Sequence, residues 1–197
     1  MNLAHDDRGV ALIATIIAMT LLTSLAAAVV LTTMTETAIS ANYREGTQTF
    51  YAAEAGLEYV IQELSSVSDW SDILTGDAPS AFADGPPGGT RTVGAAVLDL
   101  DRATADVNAV GRRTSPYSLY AYGSLENVVE DSSSTYVMVW VADRSEKGSD
   151  EVHLGLFAQA YGPTGSRRGV VAVIATGSRP AEDGWSPIRI LSWSEMR

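Results

Sequence analysis

The residues able to do chemistry in this chain are few, and their spacing does not bring them together. There is no cysteine, which removes thiol nucleophiles, disulfide frameworks and thiolate zinc sites. Of the two histidines, His5 lies in a short polar leader, and His153 sits in an alternating apolar and polar run, where it reads as a structural residue on a strand face. Ser132-Ser133-Ser134 is a polar turn, and no Gly-x-Ser-x-Gly elbow exposes a nucleophile. Asp143-Arg144-Ser145-Glu146-Lys147-Gly148 has part of the oxygen pattern of a calcium loop. Lys147, however, puts a cation where a ligand is wanted, and Leu154 occupies the place of the bidentate glutamate. It reads as a solvated hairpin turn. Asp99, Asp101 and Asp106 are the other oxygen-rich group, and they too are read without a metal. Trp140, Trp185 and Trp193 are read as core or sheet-packing residues. No catalytic constellation, no cofactor and no metal site is assigned, so the chain is not expected to be an enzyme. With 13 basic and 24 acidic residues, a formal charge of -11 would repel a phosphate backbone, and no nucleic-acid partner is expected.

The element that must carry function is the N-terminal helix. From Gly9 to Thr35 there is no charged side chain. Val10–Leu31 as a helix, at about 1.5 Å per residue, measures roughly 33 Å, enough to cross a hydrocarbon core of about 30 Å. The run is too long for the apolar region of an ordinary secretory signal. Arg8 and the absence of retaining cations downstream place the N-terminus in the cytoplasm. Small and polar residues recur at helical spacing within the span, at Ala14 and Ala18 and at Thr20, Ser24, Ala28 and Thr32. Such strips let a neighbouring helix approach closely. Beyond the span, Ile39, Tyr43, Gly46, Phe50, Ala53, Leu57, Val60/Ile61 and Leu64 keep the spacing of a single apolar stripe. Glu54, Glu58 and Gln62 lie off it. No proline interrupts Val10 to Leu64, so one continuous helix is predicted, about 80 Å long.

Residues 65–90 read as a linker, ending in the turn cluster Asp84-Gly85-Pro86-Pro87-Gly88-Gly89. Residues 91–197 read as a β domain, with strands at Arg91–Leu98, Ala105–Val110, Leu119–Leu125, Tyr136–Ala142, Val152–Tyr161, Gly169–Thr176 and Ile188–Ser194. Val152–Tyr161 and Gly169–Thr176, joined by Gly162-Pro163-Thr164-Gly165-Ser166, form the clearest hairpin. The fold class is α+β. A long N-terminal α-helix, transmembrane over about 10–33 and amphipathic to residue 64, packs on one face of a mainly antiparallel sheet.

Arg8-Gly9-Val10-Ala11-Leu12-Ile13, then Glu36, Asn42-Tyr43-Arg44 and Phe50-Tyr51-Ala52-Ala53-Glu54-Ala55-Gly56-Leu57, resemble the N-terminal region of PilX-type minor pilins. The resemblance covers roughly Arg8 to Leu64. Arg167-Arg168-Gly169 and the closing Ile190-Leu191-Ser192-Trp193-Ser194-Glu195 are similar too, less specifically. The resemblance implies a type IV pilin-like fold and a class III signal, in which residues 1–9 form a leader that prepilin peptidase removes between Gly9 and Val10. N-methylation at Val10 is implied as well. Many pilins carry a glutamate at the fifth mature position, thought to pair with a neighbour's N-terminal ammonium. Here that position is Ala14, which removes the docking charge and points towards a tip or priming subunit.

The resulting expectation is a structural subunit for assembly or tip priming of a type IV pilus. It would reside in the bacterial inner membrane with a periplasmic C-terminal domain before reaching a cell-surface pilus. Its partners would be other pilins and minor pilins through their N-terminal helices, prepilin peptidase, and inner membrane lipid. The helix residues expected to serve assembly are Ala14, Ala18, Thr20, Ser24, Ala28, Phe50, Leu57 and Ile61, with Gly9 and Val10 serving processing. A type II secretion pseudopilin, and a membrane-anchored periplasmic binding or enzymatic domain, are the alternative readings.

Overall fold

The structure, a computed structural model, describes residues 7–67, 69–94, 96–109, 115–125, 135–146, 148, 151–176 and 188–196. The elements in order are α1 (Asp7–Ser65), α2 (Ser71–Thr75), β1 (Thr90–Val93), β2 (Ala96–Asp99), α3 (Leu100–Ala109), β3 (Ser118–Ser124), β4 (Tyr136–Asp143), β5 (His153–Tyr161), β6 (Arg167–Thr176) and β7 (Ile188–Met196). They fall into two compact units, residues 1–44 and 45–197. His5, Ser132-Ser133-Ser134, Lys147 and Trp185 lie outside the described residues.

Residues 9–44 are helical throughout, and all are exposed. The helix is long and apolar enough to cross a membrane. Its β-branched threonines do not break it, because their hydroxyls donate to carbonyls within the same helix. Thr23 Oγ1 bonds the Met19 carbonyl at 2.8 Å, Thr33 Oγ1 the Val29 carbonyl at 3.0 Å, and Thr37 Oγ1 the Thr33 carbonyl at 2.8 Å. In hydrocarbon these bonds keep the side-chain polarity satisfied from inside the helix.

In the second unit, β3-β4-β5-β6-β7 form one five-stranded sheet in that order, every neighbouring pair antiparallel. β4 shows why the sheet needs cover on both sides, since every residue from Tyr136 to Ala142 is buried. Val137, Val139 and Val141 enter one core, with Ala53, Leu57, Val60 and Leu64 of α1. Met138, Trp140 and Ala142 enter a second, with Leu100, Ala103 and Val107 of α3. α1 comes close to the sheet at Gly56, where a Cβ would lie 2.5 Å from Val137 Cγ1. The helix ends where Trp70 folds back and its Nε1–H donates to the Leu64 carbonyl at 3.1 Å, pairing a terminal acceptor that the helix leaves open.

The α+β, type IV pilin-like layout expected from the sequence is the observed one, and the hairpin of β5 and β6 is present in register. Two strand expectations are corrected. Arg91–Leu98 is not one strand. It is split by Gly94, at φ 57°, into β1 and β2, which pair antiparallel as a separate two-stranded sheet. Ala105–Val110 is not a strand either, as far as it is described, because it belongs to α3. Leu100, Ala103 and Val107 form an apolar stripe at helical spacing, and the helix start is held by Asp99 Oδ1, which accepts from the Arg102 amide at 2.9 Å. The β-branched and small residues of that segment obscured a helical period. The stretch read as linker also contains α2 and contributes the buried Trp70, Ile73 and Phe82 to the core.

The two edges of the five-stranded sheet differ. β3 is covered along its outer edge, where the amides of Ser80 and Asp84 donate to the Tyr120 and Tyr122 carbonyls at 3.2 and 3.0 Å. Glu63 of α1 fixes that covering segment, accepting from Ser80 Oγ at 2.5 Å and from the Ala81 amide at 2.8 Å. β7 forms the other edge and is largely exposed. Trp193, read as packed, is 36% exposed there, whereas Trp140 is fully buried.

Candidate assembly helix

Every large apolar side chain in the first unit of α1 is exposed, with Val10 at 67% and Leu22 at 66%. A helix that is apolar on all sides requires lipid or other helices around it. The residues expected to serve assembly, Ala14, Ala18, Thr20, Ser24 and Ala28, are all exposed. They do not form one strip. At about 100° per residue, Thr20 lies about 120° around the helix from Ala14, and each step of four turns the second strip back by about 40°, so that Ala28 comes within about 40° of Ala14's side and the two strips converge along the helix. The second strip offers close approach with little free polarity. Thr20 Oγ1 donates to the Ile17 carbonyl and Ser24 Oγ to the Thr20 carbonyl, each at 2.8 Å, and Thr32 Oγ1 donates to the Ala28 carbonyl at 2.9 Å. Their hydroxyl protons are spent within the helix. What they present to a neighbour is small size and an acceptor oxygen.

In the second unit the expected residues divide. Leu57 has no exposed surface and is consumed by the domain's own core, so it has nothing to offer a neighbouring chain. Phe50 and Ile61 are half-buried and pack against the same core while keeping an outer edge. Periodicity places all three on one stripe, and only packing distinguishes them.

One group escaped the sequence reading. The Glu45 carboxylate accepts hydrogen bonds from the Thr164 hydroxyl, from the Thr164 amide at 3.2 Å and from Ser166 Oγ at 2.9 Å. Thr49 Oγ1 stands 2.8 Å from Ser166 Oγ. The Thr164 hydroxyl above all, with Ser166 and the backbone, holds the Glu45 carboxyl below its ordinary range against a smaller opposing effect of burial. Helix and hairpin are thereby tied at their near ends. The available signal was Glu-x-x-x-Thr on the helix and Thr-x-Ser in the turn, too common to be read as a pair. His153, read as structural, begins β5 half-buried, with Nε2 3.3 Å from Glu151 Oε2. Asp143 Oδ1 accepts from the Ser145 amide at 2.8 Å, closing a turn. No group of acidic or histidine side chains able to hold a metal occurs among the described residues.

The apolar helix, its charge-free span directly after Gly9 and its apolar stripe coincide with a family match. The family model for the PilX N-terminal region matches residues 8–58. Residues 8–58 carry the PilX N-terminal region. The match ends within α1, at Glu58, so the similarity noted at Arg167–Gly169 and Ile190–Glu195 lies outside it. No curated protein and no solved structure matches the chain. The PilX-type helix fits membrane anchoring and a place in the type IV pilus class.

Proposed function

We propose that this protein is a minor pilin, held in the inner membrane by α1 until it is assembled into a type IV pilus. Prepilin peptidase cuts between Gly9 and Val10, and Val10 becomes the N-methylated first residue of the mature helix. The observation that carries this reading is the helix running uncharged from Gly9 to Thr35, exposed on every side, within the PilX N-terminal match. Small residues that wind around part of the helix surface, Ala14–Ala18 and Thr20–Ser24–Ala28, suit close approach by neighbouring helices. Other pilins are therefore the partners, meeting this chain through Ala14–Ala18 and Thr20–Ser24–Ala28 and along the outer edges of Phe50 and Ile61. Ala14 at the fifth mature position withholds the carboxylate that would draw a neighbour's ammonium, which favours a tip or priming position over the repeating shaft.

The mature N-terminus tests the proposal directly. Intact mass of the protein taken from its host membrane is expected to show loss of Met1–Gly9 and the addition of one methyl group. A chain that retains Met1–Gly9 in the host would refute processing at this bond, and with it the pilin reading.

A further inference from the structure

The sheet face opposite α1 is only partly covered. α3 lies over it through Leu100, Ala103 and Val107, held by Trp140 Nε1–H donating to Thr104 Oγ1 at 2.9 Å. The β1–β2 hairpin rests against the turn between β5 and β6, where a Cβ on Gly94 would lie 2.7 Å from the Pro163 carbonyl oxygen. Between α3 and β2 on one side, and β5, β6 and the end of β7 on the other, a cleft of about 610 Å³ remains. That is the size of a small-molecule site.

Its lining is of two kinds. Phe157, Val107 and Val171 supply apolar surface, and Phe157 is fixed by stacking on Trp140, with centroids 5.3 Å apart and planes 17° from parallel. Asp99, Arg102 and Asp106 line one wall, while Gln159, Tyr161 and Arg167 line the other. Arg102 and Asp106 are exposed and form no ion pair among the described residues. Tyr161 donates its hydroxyl to Gln159 Oε1 at 2.6 Å. Burial pushes that hydroxyl up to about 12, so it stays protonated at neutral pH.

We propose that this cleft binds a neutral polyhydroxylated ligand, a mono- or disaccharide. The two carboxylates and two guanidinium groups cancel in charge, so the cleft offers no net attraction to an ion of either sign. Across the cleft the wall of Asp99, Arg102 and Asp106 sums to a net negative charge and the wall with Arg167 to a positive one, so a zwitterion is the competing ligand, which glycine tests. A wholly apolar ligand would strip water from all four charges without replacing their hydrogen bonds. Carboxylates only accept, guanidinium groups only donate, and a sugar hydroxyl does both. A ring bearing several hydroxyls can therefore answer both kinds of group while its C–H surface covers Phe157 and Val171.

The test uses the full chain in a polyoxyethylene detergent, which has no sugar headgroup to compete. Saturation-transfer NMR is recorded with glucose, galactose, N-acetylglucosamine and maltose as neutral probes, and with acetate, phosphate, choline and glycine as charged ones. Transfer to at least one neutral sugar is expected, with no charged probe preferred. Affinity should fall about tenfold or more in Asp106→Ala and in Arg102→Ala, both exposed helix positions where alanine preserves the fold, and should not change in Glu58→Ala on α1. No transfer to any of the four sugars, transfer unaffected by both α3 substitutions, or preference for a charged probe would each overturn the proposal.

Discussion

Gly56 shows how a single atom position decides helix packing. Judged by helix propensity, Gly56→Ala should stabilise the chain by about 1 kcal/mol. The new Cβ, however, would lie 2.5 Å from Val137 Cγ1, and Val137 is a fully buried, β-branched residue of the interior strand β4 that cannot swing away. Overpacking of this kind costs about 1–3 kcal/mol, so the net effect is expected to be a loss of stability. Denaturant unfolding of the full chain in detergent checks the sign, and a stabilised Gly56→Ala would mean that helix and sheet separate more readily than the packing implies. Thr20 and Ser24 make a related point about polarity. Both look like hydrogen-bonding groups for a neighbour, yet each spends its proton on its own helix.

At the scale of elements, the second unit is a sheet gripped from two sides, with α1 secured at its near end by the β5–β6 turn. The Glu45 carboxylate is held below its ordinary value of 4.5, first by the Thr164 hydroxyl. A carboxyl with a depressed folded value adds stability that is complete above its unfolded value and disappears as pH falls through the folded one. Glu45→Gln should therefore lower the melting temperature at neutral pH, and its deficit relative to the native chain should shrink below pH 4.5. Thermal unfolding of both proteins across that range measures this. A deficit that does not change with pH would show that Glu45 acts through shape alone. The Glu63 bonds to Ser80 and Ala81 play a comparable part at the other end of the sheet contact, where they seat the segment that covers β3.

For the molecule as a whole, the first unit is suited to lipid and other helices, and the second carries the acidic, water-facing surface. The proposed tip position makes a prediction at this scale. Ala14→Glu would restore an acid at the fifth mature position, yet a subunit whose place does not use that charge should not enter the shaft more often. Counting the protein along purified pili by immunogold labelling checks this, and a marked rise of Ala14→Glu along the shaft would count against the tip position.

Much of this architecture was legible in the chain because it is encoded locally. The uncharged run from Gly9, the lack of proline to Leu64, and the β-branched or aromatic residues of β3 to β7 each declare themselves within a few turns or a few residues. What sequence alone determined was therefore one unbroken helix, its apolar span and an antiparallel sheet to receive it. Tertiary structure decided the rest. It made Ala105–Ala109 part of a helix, because Leu100, Ala103 and Val107 find an apolar sheet face to cover. It assigned Leu57 wholly to the domain's own core while leaving Phe50 and Ile61 an outer edge. It gave Glu45 partners 119 and 121 residues away. Such choices depend on contacts between segments distant along the chain, and local periodicity carries no record of them.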